Sequence, residues 1–326
     1  MNFDHTPVMA KEIIAIAGDV KSSGIMVDAT LGGAGHSSLL LEAFSDRRLI
    51  AFDRDSEAIE HAQNVLAPFK DRFEIIHTGY KELGEEIRRR EKEKGVAIVL
   101  FDLGVSSHQL DKKERGFTYR HEDAPLDMRM DSSESLTAEI IVNEYPQDDL
   151  EKIIRENSDE RFARSIAKEI VAARPLKTAG DLVEAIRKAI PSRFQRLGHP
   201  AKRTFQALRM EVNKELDQLA QALDESVHLL APGGRILVLS YHSGEDSLVK
   251  KTFSKYMSET PNIDGRVLPI ESQEDHDAYH SSVRLVNVTA PKKPSKREVL
   301  VNPRAKSARL RVVERVDEPF EDAAGM

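Results

Sequence analysis

Over the first 110 residues, apolar and polar positions fall into two kinds of block. Met26 to Thr30, Leu49 to Phe52, Phe73 to His77 and Val96 to Asp102 are continuous apolar runs of the length of buried strands. Between them, apolar positions recur at helical spacing. This spacing predicts a helix opening near His36, a second capped by Asp55 or Ser56 and running to about Leu66, and a charged third near Glu82 to Lys94. Strands buried on both faces and separated by helices predict an α/β fold, a mostly parallel doubly wound sheet.

After Leu110 the strand pattern stops for nearly a hundred residues. Thr137 to Asn143, Asp148 to Glu156, Asp159 to Ala173 and Thr178 to Ala189 read as helices, with Ser, Thr or Asp at their starts and Pro175 and Pro191 as stops. A long helix is expected from Phe205 to Leu230. It leads through APGG to a strand over Arg235 to Tyr241, a helix near Asp246 to Met257, a polar loop-like stretch to about Ser281, and strands over Val283 to Thr289 and Arg309 to Val316. The chain is thus expected to hold a discontinuous parent domain, 1–110 and 208–316, an inserted all-helical subdomain, 111–207, and a disordered tail, 317–326.

Composition narrows the setting. With 326 residues, 40% hydrophobic and 32% charged, the chain can bury one substantial core and a smaller second one. No apolar run approaches the roughly 18 residues that cross a bilayer, and MNFDHTPVMAKEII has no cationic, apolar export pattern, so a cytoplasmic location with no membrane partner is expected. There is no cysteine, which excludes disulfides, thiolate zinc sites and a thiolate nucleophile. No His-Glu-x-x-His spacing is present either, and no metal site is expected.

The net charge of −7 is unevenly spread. Arg187 to Arg209 holds seven Lys or Arg and no acid, and Lys292 to Arg311 holds eight against Glu298 alone. These runs carry +14, which leaves about −21 on the remainder: an acidic body with two positive surfaces of the kind that meet phosphates.

Candidate chemistry centres on VDATLGGAGHSS, residues 27–38. Glycines at 32, 33 and 35 let backbone approach a ligand, and the helix that follows aims N–H groups at an anion. Asp53, at the end of the next strand, stands where such folds place an acid on a ribose. Gly35, Asp53, Tyr80 and Asp102 all fall at carboxyl ends of strands, where ligands of parallel sheets collect. G-x-G-x-x-G is not met from any start in the loop, which disfavours NAD; S-adenosylmethionine, with a carboxylate and a ribose but no pyrophosphate, tolerates the looser pattern. His36 is expected to offer its backbone N–H rather than a catalytic imidazole.

Further segments stand out: HTPVM at 5–9, DLGVSSHQLD at 102–111, ERGFTYRHEDAPLDMRMD at 114–131 and HPAKRTFQALRMEVNKEL at 199–216, followed by SYHSGEDSLVK and NPRAKSARLR. Together with TLGGAGHS and FDRD, in this order from His5 to about Arg315, they resemble the RsmH, or MraW, family of 16S ribosomal RNA cytosine-N4 methyltransferases. The resemblance implies a Rossmann-like, S-adenosylmethionine-dependent methyltransferase whose helical insert, 111–207, is expected to recognise RNA, acting on a decoding-centre cytidine of 16S rRNA, free or in a small subunit or assembly intermediate. By matching motif, cofactor contacts fall on Gly33, Ala34, Gly35, His36, Asp53, Tyr80, Asp102 and Gln109. One departure is Gly244 in YHSGED, where the family pattern has leucine.

The missing thiol bears on the reaction, because methylation at a pyrimidine C5 commonly needs a thiolate adduct whereas an exocyclic amine can attack directly. The N4 lone pair is delocalised into the ring, so an acceptor at N4–H would help. Asp102 is the first candidate, or else a carbonyl of Leu103 to Ser107; Ser106 and Ser243 are the other catalytic candidates, and Ser243 with Asp246 reads equally as a helix cap. Arg203, Arg209, Arg304 and Arg309 are candidate phosphate contacts. Phe117 and Tyr119 are candidate surfaces on which the unstacked base could rest. The alternatives are an NAD-dependent oxidoreductase and a non-catalytic RNA-binding ribosome assembly factor.

Overall fold

In a computed structural model, which describes residues 7–316 apart from 93, 197, 258–261, 264–265 and 268–282, the chain forms two compact units. One contains the chain up to Gly104 and from Gln218 onward, and the other Val105–Asp217. The first begins with α1 (Ala10–Gly18), β1 (Ile25–Asp28), α2 (Gly35–Ala43), β2 (Leu49–Asp53), α3 (Ser56–Leu66), β3 (Phe73–His77), α4 (Leu83–Arg90) and β4 (Val96–Asp102). Asp55 is the cap of α3, accepting the Glu57 N–H at 3.1 Å. The charged helix is shorter than expected and stops at Arg90, after which Gly95 takes φ +67° to turn into β4. Its acids stand in the first turn and its arginines in the last, matching the helix dipole.

The second unit is helical: α5 (Ser107–Asp111), α6 (Ala138–Glu144), α7 (Gln147–Ser158), α8 (Ala163–Ala172), α9 (Ala179–Ala189), α10 (Ser192–Gln195) and α11 (Lys202–Val212). Thr137 caps α6, and Thr178 forms a reciprocal capping box with Asp181 on α9. The helix expected from Asp159 starts at Ala163 instead. Asp159 takes the left-handed conformation at φ 51° and closes α7, and Glu160 then accepts the Phe162 N–H at 3.0 Å. Leu126, Ile141, Leu150, Ile166, Leu182 and Phe205 share a core that belongs to this unit alone.

The long helix expected from Phe205 to Leu230 is broken at Asn213 and Lys214. Lys214 sits at φ 48°, and the buried Asn213 amide accepts the Met130 N–H at 2.8 Å while donating to the Met128 carbonyl at 2.8 Å. Side-chain bonding of this kind competes with helix continuation. The next helix, α12 (Glu215–Leu229), runs straight into β5 (Leu230–Ser240), so APGG lies within the strand rather than before it. The chain returns to the first unit at Gln218, past the break. It continues through α13 (Ser243–Ser254), the short pair β6 (Asn262–Ile263) and β7 (Arg266–Val267), β8 (Arg284–Asn287), α14 (Lys296–Val301) and β9 (Arg309–Val316).

The main sheet has 7 strands in the order β3-β2-β1-β4-β5-β9-β8. β1 to β5 pair in parallel, and β9 is antiparallel to both of its neighbours. Side chains alternate along each strand, so Val27, Phe52, Val99 and Val238 pack against α4, α12 and α13 on one face. Met26, Leu49, Leu100 and Leu237 pack against α1, α2 and α3 on the other. Each fully buried aliphatic of this kind contributes roughly 1.5–3 kcal/mol. Among the described residues, no helix is long and apolar enough to cross a membrane.

Replacing Asn213 by Ala should destabilise the protein by about 2 kcal/mol in urea unfolding, because it removes the acceptor of one buried backbone group and the donor to another.

Candidate cofactor and active site

β1 ends in a buried acid. Asp28 accepts the Ser37 hydroxyl at 2.6 Å and the Thr30 N–H at 3.0 Å, tying the first turn of α2 back to the strand. The Thr30 hydroxyl oxygen accepts the Asp102 N–H at 2.6 Å and so joins β4 to the same knot. Between these anchors the loop turns through left-handed residues, Gly32 at φ 49° and Ala34 at φ 60°. The Gly32 N–H donates to Asp53 Oδ2 at 2.8 Å, and the Ala34 N–H to the Leu31 carbonyl at 2.8 Å. A Cβ on Gly35 would lie 2.6 Å from Pro7 Cγ, so only glycine lets the 7–9 segment close over the loop, whereas a Cβ on Gly33 would meet nothing within 4 Å.

The Asp102 side chain is held from both sides. Oδ1 accepts the Tyr241 hydroxyl at 2.7 Å, and Oδ2 lies 3.4 Å from His36 Nδ1. His36 Nε2 is 2.9 Å from the Val8 carbonyl, which can only accept, so Nε2 carries hydrogen. Burial alone would lower the imidazole pKa, but Asp102 and the Val8 carbonyl together raise it, favouring the form that donates to both. Burial, followed by the Asp102 charge, pushes the Tyr241 phenol far up, so it remains a neutral donor. Beyond the backbone N–H expected of His36, its side chain lies between the Val8 carbonyl and the Asp102 carboxylate and orients the latter.

Asp53 accepts the Gly32 N–H on one oxygen and the Asp55 N–H, at 2.9 Å, on the other. A carboxylate has about four acceptor sites, so capacity remains for ribose hydroxyls. Burial pushes its pKa up to about 6 against the backbone donors, and burial also raises that of Asp28. Tyr80, in a short turn after β3, is half-buried with its ring edge-on to Phe101 at 6.1 Å. Asp28 and Tyr241 went unflagged in the sequence. The signal for Asp28 was an acid closing an apolar strand directly before the glycines.

Several other expected sites are placed differently. The cap of α13 is His242 with Glu245, whose Oε2 also accepts the Tyr241 N–H at 2.7 Å; Ser243 is exposed, and Asp246 pairs instead with Arg309 and with Arg311 at 2.7 Å. A Cβ on Gly244 would lie 3.2 Å from the capping imidazole, so a leucine there would press on that cap. Ser106 and Gln109 belong to the second unit and bond reciprocally: the Gln109 N–H donates to Ser106 Oγ at 3.2 Å, and Gln109 Oε1 accepts the Ser106 N–H at 3.0 Å. Arg209 is committed to a bidentate pair with buried Glu215, both bonds 2.8 Å, and Phe117 is a core residue. Neither is a surface contact. Tyr119 already stacks on His199, with ring centres 4.2 Å apart. Arg203 is exposed and reaches the Asp159 carbonyl at 3.2 Å, and Arg304 is half-buried. His5 and Thr6 of HTPVM, most of the polar stretch before Ser281 and the 317–326 tail lie outside the described residues.

An open sheet with one antiparallel strand next to its edge, and acids ending β1, β2 and β4 around a glycine turn, defines the Rossmann-like methyltransferase class. The chain matches the model of the MraW methylase family over residues 2–316 and belongs to that family of S-adenosylmethionine-dependent methyltransferases. It is 45% identical to ribosomal RNA small subunit methyltransferase H 2 of Agathobacter rectalis over 97% of this chain and 100% of that one. It is also 45% identical to ribosomal RNA small subunit methyltransferase H of Kocuria rhizophila over 96% of this chain and 95% of that one. A solved rRNA methylase from Streptococcus thermophilus aligns with 97% of this chain and 99% of its own at a TM-score of 0.42 and 10% identity.

The raised Asp53 pKa sets a pH dependence. Between 3.8 and about 6 the folded protein holds a proton that the unfolded chain has lost, so this group's stabilisation is full below 3.8 and is lost as pH rises through about 6. Relative to Asp53→Asn, the wild type should lose stability across that window in urea unfolding at a series of pH values. Conversely, S-adenosylmethionine affinity measured by calorimetry should rise through about pH 6 in the wild type, as the carboxylate becomes the stronger ribose acceptor, and stay flat in Asp53→Asn.

Proposed function

We propose that the protein methylates the exocyclic N4 of a cytidine in 16S rRNA of the small ribosomal subunit. The names of its relatives support the RNA, and the doubly held Asp102 carboxylate supports the atom. The residues fit the donor. Asp53 keeps acceptor capacity for a ribose, Gly33 faces open space, and the three strand-end carboxyls Asp28, Asp53 and Asp102 suit a ligand that carries a sulfonium and an ammonium. A pyrophosphate would suit them poorly, since the Gly32 and Ala34 amides already have acceptors and buried acids lie beneath the loop.

When bound, S-adenosylmethionine supplies a methyl already activated for in-line displacement. The residues that would hold it are Asp53 at the ribose, Gly33 to Gly35 along the loop and Tyr80 beside the base. Asp102 accepts the N4–H, orients the amine and takes up the positive charge that develops on nitrogen. Tyr241 and His36 fix the plane of that carboxylate, so little reorganisation is needed when charge appears. The protein's remaining task is to align the amine and exclude water.

Asp102→Ala should fold yet lose methyl incorporation into under-methylated small-subunit RNA by about 10²-fold or more; near-normal incorporation removes Asp102 from the chemistry. Tyr241→Phe retains the ring and loses only the bond to Asp102, so kcat should fall roughly ten-fold with donor affinity unchanged. The labelled methyl should be recovered as N4-methylcytidine, and recovery at C5 or on a ribose oxygen would overturn the assignment.

A further inference from the structure

The second unit carries a cluster that the chemistry leaves unused. Arg161, in the turn before α8, lays its guanidinium 3.7 Å from the ring centre of Phe194 and 4.7 Å from that of Phe162. Arg193 lies 4.7 Å from the same Phe194 ring, and the two rings are 5.2 Å apart. Both rings are half-buried against the insert core, so the platform is rigid, while both arginines are exposed. Gln195 pins the platform by donating to the Arg187 carbonyl at 2.9 Å and the Ile190 carbonyl at 2.7 Å. The bond from Arg203 to the Asp159 carbonyl brings a third exposed cation to this turn.

Two like charges on one ring repel, and among the described residues no carboxylate pairs with Arg161 or Arg193. Some exposed cations elsewhere in the unit do have partners: Lys113 has Asp123, Arg155 has Glu151 and Lys214 has Glu211. Glu160, the residue before Arg161, is buried, holds the Phe162 N–H and stands 3.8 Å from Arg203. The segment 187–209 contributes no acid, and α8 opens with none in its first turn. A guanidinium resting on an aromatic face loses little freedom when its N–H edge engages a phosphate, and it does so with two parallel bonds. The cations stand on an exposed surface and not around an enclosed pocket, so the matching ligand is an extended polyanion and not a single nucleotide.

Resting on the rRNA reading above, we propose that the face formed by Arg161, Phe162, Arg193, Phe194 and Arg203 is a docking surface for the phosphodiester backbone of the substrate RNA. Its arginines position the strand and take no part in methyl transfer.

The test uses the full chain, a fluorescent small-subunit rRNA fragment, assembled small subunits, and calorimetry with S-adenosylmethionine. Arg161→Ala/Arg193→Ala should weaken fragment binding about ten-fold or more and flatten the slope of log affinity against log salt by about 1.4–1.8, the equivalent of two phosphate contacts, with donor affinity unchanged. KM for RNA should rise while kcat at saturating RNA holds. Arg161→Lys/Arg193→Lys should keep the slope but recover only part of the affinity, because charge is retained and the planar fork is lost. Parental affinity and slope in the alanine variant would overturn the proposal. So would a loss seen with assembled subunits and not with naked RNA, which would assign the face to a ribosomal protein. If the wild type binds RNA through this face yet transfers no methyl, the rRNA methyltransferase reading fails and the surface stands.

Discussion

The site depends on one buried carboxyl. Asp28 ends β1 where the sheet is covered on both faces, and it receives the Ser37 hydroxyl and the Thr30 N–H across the glycine turn. Leaving that acid unpartnered in the core would be costly, so the loop is drawn into the shape that satisfies it. The same constraint reaches β4, because the Thr30 hydroxyl also accepts the Asp102 N–H and so sets where that residue's backbone leaves the strand. Asp53 closes the far side by accepting the Gly32 N–H. Three acids at the ends of three parallel strands are thus joined through the loop's own hydrogen bonds, and the ligand-facing groups are fixed before anything binds.

The packing divides the chain into two cores. The first unit buries both faces of its sheet in two apolar clusters, and the second has a core of its own drawn from α6 to α11. The chain leaves one for the other at Gly104 and returns at Gln218, just past the break that Asn213 creates between α11 and α12. The strand-end acids Asp28, Asp53 and Asp102 lie in the first unit, whereas Arg161, Arg193 and their aromatic platform lie in the second.

Much of the fold was legible because strand-length apolar runs and helical periods are local signals. β3, β4 and β9 coincide with their expected ranges, and Asp55 and Thr178 act as caps. The misread elements turn on single backbone events that no period encodes. Lys214 at positive φ divided one expected helix, and Asp159 at positive φ delayed the start of another. α1, α5, α10 and α14 are short or polar and left no pattern strong enough to read. In the site, the glycines and strand-end acids were visible as types at a spacing. The role of His36 was not, because it depends on the Val8 carbonyl, 28 residues away in sequence. Charge runs misled for a related reason: Arg209 and Arg309 are basic in the sequence, but their partners Glu215 and Asp246 are identified only by folding.

The most direct test of the central claim, that the Asp28-organised loop holds the donor with its reacting end over Asp102, is a crystal structure with S-adenosylhomocysteine. The account predicts ribose hydroxyls on the Asp53 carboxylate, the adenine beside Tyr80 and the sulfur within reach of the Asp102 side chain, with the bonds from Tyr241 and His36 intact. A ligand bound elsewhere, or a ribose that leaves Asp53 untouched, would contradict it.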